Sequence, residues 1–312
     1  MVPFAPSSFV RQLRPEDTEA ACRIINRMLA NAIYSRPMTP EATHAQLFGQ
    51  SPPALFNVRW QKRATLGLLR VGELIGVLDV AVGLDSDDAD LPDYQPLGLL
   101  RMLALPEESE LVGEASARLF AAADEFWRAQ GVGQVKAFHA STGYPDWQAG
   151  VGLLPADWSE PVRVLAEQDY RYTDRYYCFV RSLRPDLFEE SAPHSALTLV
   201  FRGANPDRRY QLFFRRTELI GEARVVQKTV AHQGGLQQIA HLVHWEVDLR
   251  WRNQDIGRWM LRRMVNDAAQ QSLAQMIVFV RIQQAAAMNL LAQHGFVEHA
   301  FRGYTLEKTL RA

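Results

Sequence analysis

Residues 241–272, HLVHWEVDLRWRNQDIGRWMLRRMVNDAAQQS, change period partway along, and that change decides the fold. Over 242–249, Val243, Trp245, Val247 and Leu249 alternate with His244, Glu246 and Asp248. A period of two predicts a strand with one apolar and one ionisable face. From Ile256 onward, Met260, Leu261, Met264, Val265 and Ala268 recur at three- and four-residue intervals, the stripe of a helix laid on a sheet. Between them lies a polar bend, Arg252-Asn253-Gln254-Asp255-Ile256-Gly257. The first N–H groups of a helix have no intrahelical partners, and Gly257 permits close approach, so the bend is a candidate anion site. Ordinary packing of a helix on a sheet explains the same pattern equally well.

Working outward, strands are predicted at 9–13, 65–70, 73–82, 99–105, 134–139 and 175–183, and after them at 196–201, 209–215, 218–227, 275–280 and 304–309. Helices are predicted at 20–29 and in a stretch opened by Gly113 from their apolar stripes, at 40–47 from a start near Thr39, at 162–168, and at 283–293 with a stop at Gly295. Residues 85–93 read as a solvated acidic loop, and 184–194 as a linker. Residues 141–157, rich in Gly, Pro and Trp, have no steady period. They are expected either to meet a ligand, a partner or another domain, or simply to pack as a loop. The same choice holds for Tyr144, Trp147 and Trp158.

Two parts of the chain repeat. Glu73-Leu74-Ile75-Gly76 recurs 145 residues later as Glu218-Leu219-Ile220-Gly221, and Gly113 and Gly257 stand 144 apart. RYYCFVRSL at 175–183 is similar to RGYTLEKTL at 302–310, at an offset of 127. The drop of 17 nearly equals the length of the 141–157 insertion. Two copies of one α/β unit account for all of this, the second lacking the helices that precede the hairpin of the first. The expected division is 1–183, a linker at 184–194, and 195–312.

These features resemble the GCN5-related N-acyltransferase (GNAT) family, in its tandem-domain form. The family's acyl-CoA loop has the form Gln/Arg-x-x-Gly-x-Gly/Ala, and Arg252 to Gly257 correspond to it with Asp255 in place of the first glycine. Further on, Gln284, Ala287, Leu290-Leu291 and Gly295-Phe296 stand at the family's Asn, small residue, Leu-Tyr and Gly-Phe. The usual tyrosine acid is therefore Leu291. In the first copy 108–113, ESELVG, occupies the loop and Asp169-Tyr170 replaces Gly-Phe, so that copy is expected to be degenerate.

The resemblance implies a fold class of two α/β acyltransferase-like units, each a mixed, mostly antiparallel sheet flanked by helices. It further implies acylation of a small amine or of an exposed protein or peptide amino group, with acetyl-CoA or another acyl-CoA as cosubstrate and no metal. The strand before the loop and its parallel neighbour are expected to splay apart. Contacts to the cosubstrate fall to Val247, Leu249, Arg252, Gln254, Asp255, Ile256, Gly257, Arg258, Gln284 and Ala287. Glu246 and then His244 are the candidate bases, with Tyr304 as substitute acid if it points inward. His241 is out of phase unless a bulge changes the register. Each has an ordinary reading too: Glu246 and His244 as sheet charges, Arg252 and Arg258 as solvated helix-end residues, Tyr304 as packing.

The 312 residues are 47% hydrophobic and 22% charged with net charge -1, so nothing points to nucleic acid or an anionic membrane as partner. The start of the sequence lacks a signal-peptide pattern and Cys22 and Cys178 are too few for a disulfide framework, which makes the cytoplasm the expected compartment. A homodimer is left open. The competing reading is a catalytically silent acyl-CoA sensor or a structural, partner-binding protein.

Overall fold

The structure is a computed structural model and describes residues 8–56, 58–85, 96–184, 191–232 and 234–310. In chain order the elements are β1 (Ser8–Gln12), α1 (Thr18–Leu29), α2 (Pro40–Leu47), β2 (Val58–Arg70), β3 (Glu73–Asp85), β4 (Leu97–Ala104), α3 (Ser109–Arg128), β5 (Gln134–Ala137), β6 (Leu154–Pro155), α4 (Ser159–Glu167) and β7 (Arg171–Ser182). There follow β8 (Leu197–Arg202), β9 (Asp207–Phe214), β10 (Glu218–His232), β11 (Gly235–Val247), α5 (Ile256–Gln270), β12 (Gln275–Arg281), α6 (Ala285–Gln293) and β13 (Val297–Thr309). The expected acidic loop beyond Asp85 and most of the expected linker lie outside the described residues.

Two compact units emerge, one of 1–175 with 303–312 and one of 176–302. They divide inside β7 and inside β13 rather than within 184–194. Strand pairing is the reason. Residues 176–182 of β7 lie antiparallel to β12, in register Val278↔Phe179, whereas Leu306 to Thr309 of β13 pair with β5 of the first unit. The two similar end strands thus each complete a sheet made by the other stretch of chain.

In the first unit the sheet order is β1-β2-β3-β4-β5-β13, with β6 on β13, and only β4–β5 is parallel. The α1 stripe of Ala21, Ile24, Ile25 and Leu29 is buried as its spacing requires. Thr39 starts α2 by accepting from the Ala42 N–H at 3.2 Å. α3 begins at Ser109, a turn before Gly113, so Gly113 does not open it and most of the expected loop at 108–113 is helix. Residues 141–157 turn inward: Tyr144, Trp147, Leu153 and Leu154 are fully buried, and Trp147 stacks on Trp158 at 5.7 Å. The choice left open by the sequence falls to packing.

In the second unit the order is β7-β12-β11-β10-β9-β8, with only β11–β12 parallel. α5 buries Ile256, Met260, Leu261, Met264, Val265 and Ala268, the residues of the predicted stripe, together with Trp259. Each large side chain so buried contributes roughly 1.5–3 kcal/mol, which outweighs helix propensity in fixing α5.

The repeat is written into the register. β3 leaves Ile75 as an extra residue between the pairs Leu69↔Leu74 and Leu68↔Gly76, and β10 leaves Ile220 between Leu219↔Phe213 and Gly221↔Leu212. A second bulge falls at Arg101 in β4 and at Val243 in β11. Each copy of Glu-Leu-Ile-Gly is thus the start of a central strand that bulges at its isoleucine.

Candidate functional site

The second unit opens where its one parallel pair ends. β11 and β12 are paired only at Ala240↔Met276 and His241↔Ile277. β11 then continues to Val247 against β10, and β12 to Arg281 against β7. The strands therefore part after His241, as the resemblance implies, and the bulge at Val243 bends β11 just beyond the fork. His241 is 2% exposed at this point, its ring edge-on to Phe279 at 5.6 Å.

Past the bulge, His244 and Glu246 share the exposed face, opposite Arg224 and Glu222 of β10. One carboxylate oxygen of Glu246 is 4.0 Å from His244 Nε2, and the other is 3.7 Å from the Arg252 guanidinium. Arg252 is anchored by Nε, which donates to the Val247 carbonyl at 2.9 Å. The carboxylate is thus held between an imidazole and a guanidinium while 61% exposed.

On the other face, Trp245 and Val247 pack toward α5. A Cβ added at Gly257 would lie 3.4 Å from Trp245 Cζ2, 3.8 Å from Leu290 and 3.9 Å from Val247. These contacts bring β11, the first turn of α5 and α6 together. Trp245 Nε1 is buried there with no acceptor.

Asn253 and Asp255 take up the left-handed backbone of the bend, at φ 61° and 56°. Asp255 is the N-cap residue of α5, yet its side chain accepts nothing from the helix and lies 3.6 Å from Arg258 instead. The first-turn N–H groups are left without a side-chain cap, the condition an anion requires. Gln254 donates to the Arg250 carbonyl at 3.3 Å. Arg258 points Nε at His294 Nε2 (3.4 Å), and Arg262 approaches Nδ1 (3.2 Å). Burial, and then the guanidinium groups of Arg262, Arg258 and Arg181, hold the His294 pKa below its ordinary value.

Four further expected residues are placed as follows. Leu249 is 74% exposed, because Asp248 accepts from Arg250 N at 2.9 Å and turns the chain into a single 3-10 turn, ending the strand alternation before it. Gln284 stands at the N-cap position of α6 without a side-chain cap bond, its side chain instead accepting from the Arg281 N–H at 3.2 Å, and Ala287 packs on the second unit's core. Tyr304 pairs with Leu154 and lies 4.5 Å from Tyr172, with the Arg175 guanidinium 5.5 Å from its ring. Those contacts belong to the first unit. Leu291, at the usual tyrosine position, is fully buried.

The corresponding fork of the first unit is filled. β4 and β5 pair up to Leu100↔Ala137, and the next residue, the bulged Arg101, is 1% exposed. It donates to Asp79 at 2.8 Å, to Gln46 at 2.7 Å and to the Thr142 carbonyl at 3.3 Å. The rings of Trp60 and Tyr144 flank it at 4.7 and 4.9 Å. The Tyr144 hydroxyl donates to the same Asp79 oxygen at 2.7 Å, and burial drives its pKa well up. Sequence reasoning missed this cluster. Its one signal was an arginine inside the apolar strand LGLLRMLA.

Burial also raises the Cys178 thiol, which disfavours the thiolate form a nucleophile needs. Among the described residues no group of His, Cys, Asp and Glu side chains is placed to hold a metal, and no helix is long and apolar enough to cross a membrane.

Residues 177–296, within the second unit, match the family model described as the acetyltransferase (GNAT) family. A search of curated protein sequences gives no match. Among solved structures, a tandem GNAT protein from the clavulanic acid biosynthesis pathway is similar at TM-score 0.66 and 12% identity, covering 98% of this chain and 99% of that one. A GCN5-related N-acetyltransferase from Sphaerobacter thermophilus gives 0.61 and 12%, covering 100% and 98%. A glucosamine N-acetyltransferase region of a fungal multi-domain GH3 β-N-acetylglucosaminidase gives 0.69 and 12%, covering 97% of this chain and 38% of that one. Residues 177–296 thus match the GNAT family model, and the chain as a whole has the fold of tandem GNAT proteins.

Proposed function

We propose that the second unit is an acyl-CoA-dependent N-acyltransferase, with acetyl-CoA as the first cosubstrate to test. The observation that carries this is the fork: the sheet opens after His241↔Ile277 and is followed by an uncapped helix start. The fork offers a slot for the pantetheine arm, and the first-turn N–H groups of α5 a seat for the pyrophosphate. The unpartnered indole N–H of Trp245 supplies a donor beside them.

The amine nitrogen attacks the thioester carbonyl carbon, the C–S bond breaks, and the nitrogen loses its proton to Glu246 directly or through His244. The CoA thiolate then takes a proton from water, since Leu291 has none to give. Orientation of two bound reactants carries much of such a reaction. The acceptor is a small amine or an exposed amino group of a protein or peptide, and we place the reaction in the cytoplasm.

The experiment is titration of the full chain with acetyl-CoA, followed by thiol release on addition of an amine panel. No binding would sink the reading. The buried Leu291 favours a second one, an acyl-CoA sensor; binding without thiol release across the panel would select it.

A further inference from the structure

The first unit carries a cavity of its own, of about 450 Å³, between the end of α2 and the first half of β2. Its lining includes three cations, Arg14, Lys62 and Arg63, and no acidic residue; Phe48 and Trp60 supply apolar wall and Thr65 a hydroxyl. Arg63 donates through Nη1 to the Gly49 carbonyl at 2.5 Å and through Nη2 to the Gln46 carbonyl, groups at the end of α2 that its helix leaves unpaired. That explains one edge of the guanidinium but leaves Nε buried with no acceptor. Thr65, 2% exposed, likewise has a hydroxyl oxygen without a partner.

Of the neighbouring carboxylates, Asp17 is held by Arg11 at 2.7 Å and by the Arg14 N–H at 2.8 Å, while Asp79 is held by Arg101 and Tyr144 through Oδ2 and keeps Oδ1 buried without a partner. Helix capping accounts for Arg63 alone. It accounts neither for the two further cations at the mouth nor for the two orphaned polar groups.

We propose that this cavity binds a small organic anion, a phosphate or carboxylate group on an apolar or planar body. The oxyanion meets Arg63, Thr65, Lys62 and Arg14, and the body lies against Trp60 and Phe48. The volume suits a small metabolite. This site is separate from the slot proposed in the second unit and stands or falls independently of it.

The test is calorimetric titration of the full chain at fixed chloride with phenyl phosphate, benzoate, inorganic phosphate and neutral benzyl alcohol. The expected result is saturable binding of phenyl phosphate or benzoate, the tighter of the two identifying the anion, with weaker binding of inorganic phosphate and none of benzyl alcohol. Lys62 and Arg14 are exposed, and Arg14 caps the turn at 15–17 through its backbone N–H, which a side-chain substitution keeps, so Lys62→Gln with Arg14→Gln keeps the fold while weakening binding about tenfold, and Thr65→Val weakens it as well. Saturating CoA leaves the affinity unchanged. Absence of saturable heat for every anion up to about 10 mM, a double variant that binds as well as the parent, or displacement by CoA would each overturn the proposal.

Discussion

Gly257→Ala separates the demands of folding from those of a ligand at the start of α5. The new methyl would stand 3.4 Å from Trp245, 3.8 Å from Leu290 and 3.9 Å from Val247, all ordinary van der Waals separations, and Gly257 is not among the residues of positive φ. The fold therefore accepts it. Alanine is the better helix former by roughly 1 kcal/mol in a helix interior and by less in the first turn, so stability is expected to hold or to rise by about 0.5 kcal/mol. Helical Cβ atoms tilt toward the N-terminus, which sets the same methyl over the N–H groups that would receive a pyrophosphate. Blocking one such hydrogen bond corresponds to about tenfold in acyl-CoA affinity, near 1.4 kcal/mol. Urea unfolding and titration with acetyl-CoA measure the two effects on one protein. Loss of more than about 1 kcal/mol of stability would refute the packing around Gly257. An unchanged affinity in Gly257→Val, which carries two further methyls, would refute the placement of the anion on α5.

Other outcomes follow from particular side chains. Asp79→Ala strands the buried Arg101 guanidinium and should lower stability by about 3–5 kcal/mol in urea unfolding, with much of that recovered by pairing it with Arg101→Met. Glu246→Gln should reduce acyl transfer by roughly 10²–10⁴-fold with little change in acyl-CoA affinity, read from thiol release and from titration. Because His294 and His299 both titrate below the ordinary value of 6.5 in the fold, the unfolded chain takes up protons first. Stability is then full above that pH and declines as the pH falls below it, a slope that His294→Asn should flatten in thermal melts recorded from pH 7.5 to 5. Thr39→Ala removes the α2 cap and should cost about 1 kcal/mol.

Local rules in the sequence located nearly every element: α1 and α5 through their stripes, α2 through its start at Thr39-Pro40, β10 and β12 through their apolar runs. The duplication was legible for a deeper reason, because Ile75 and Ile220 occupy equivalent bulges. Pairing partners were not legible. Nothing within RYYCFVRSL or RGYTLEKTL states which parallel strand it lies beside, since that depends on residues more than ninety positions away. The start of α3 was missed because Gly113 lies within the helix with open space around it, where glycine is tolerated without being needed. At the candidate site, the loop and its helix were readable as a motif. The exposure of Leu249 and the contacts of Tyr304 follow from a 3-10 turn and a long-range register, neither of which leaves a local pattern.

The division of β13 bears on how the chain is made. Ribosomal synthesis delivers β1 through β5 early, but the strand that closes their sheet, 303–309, emerges only after the whole of 176–302. Until then the free edge of β5 is open to any passing strand. Residues 171–182, the nearest similar sequence, are available first and have to be kept for β12. Nascent chains stalled just before residue 303 should therefore be protease-sensitive in their N-terminal half, and a peptide of 297–310 supplied in trans should protect it.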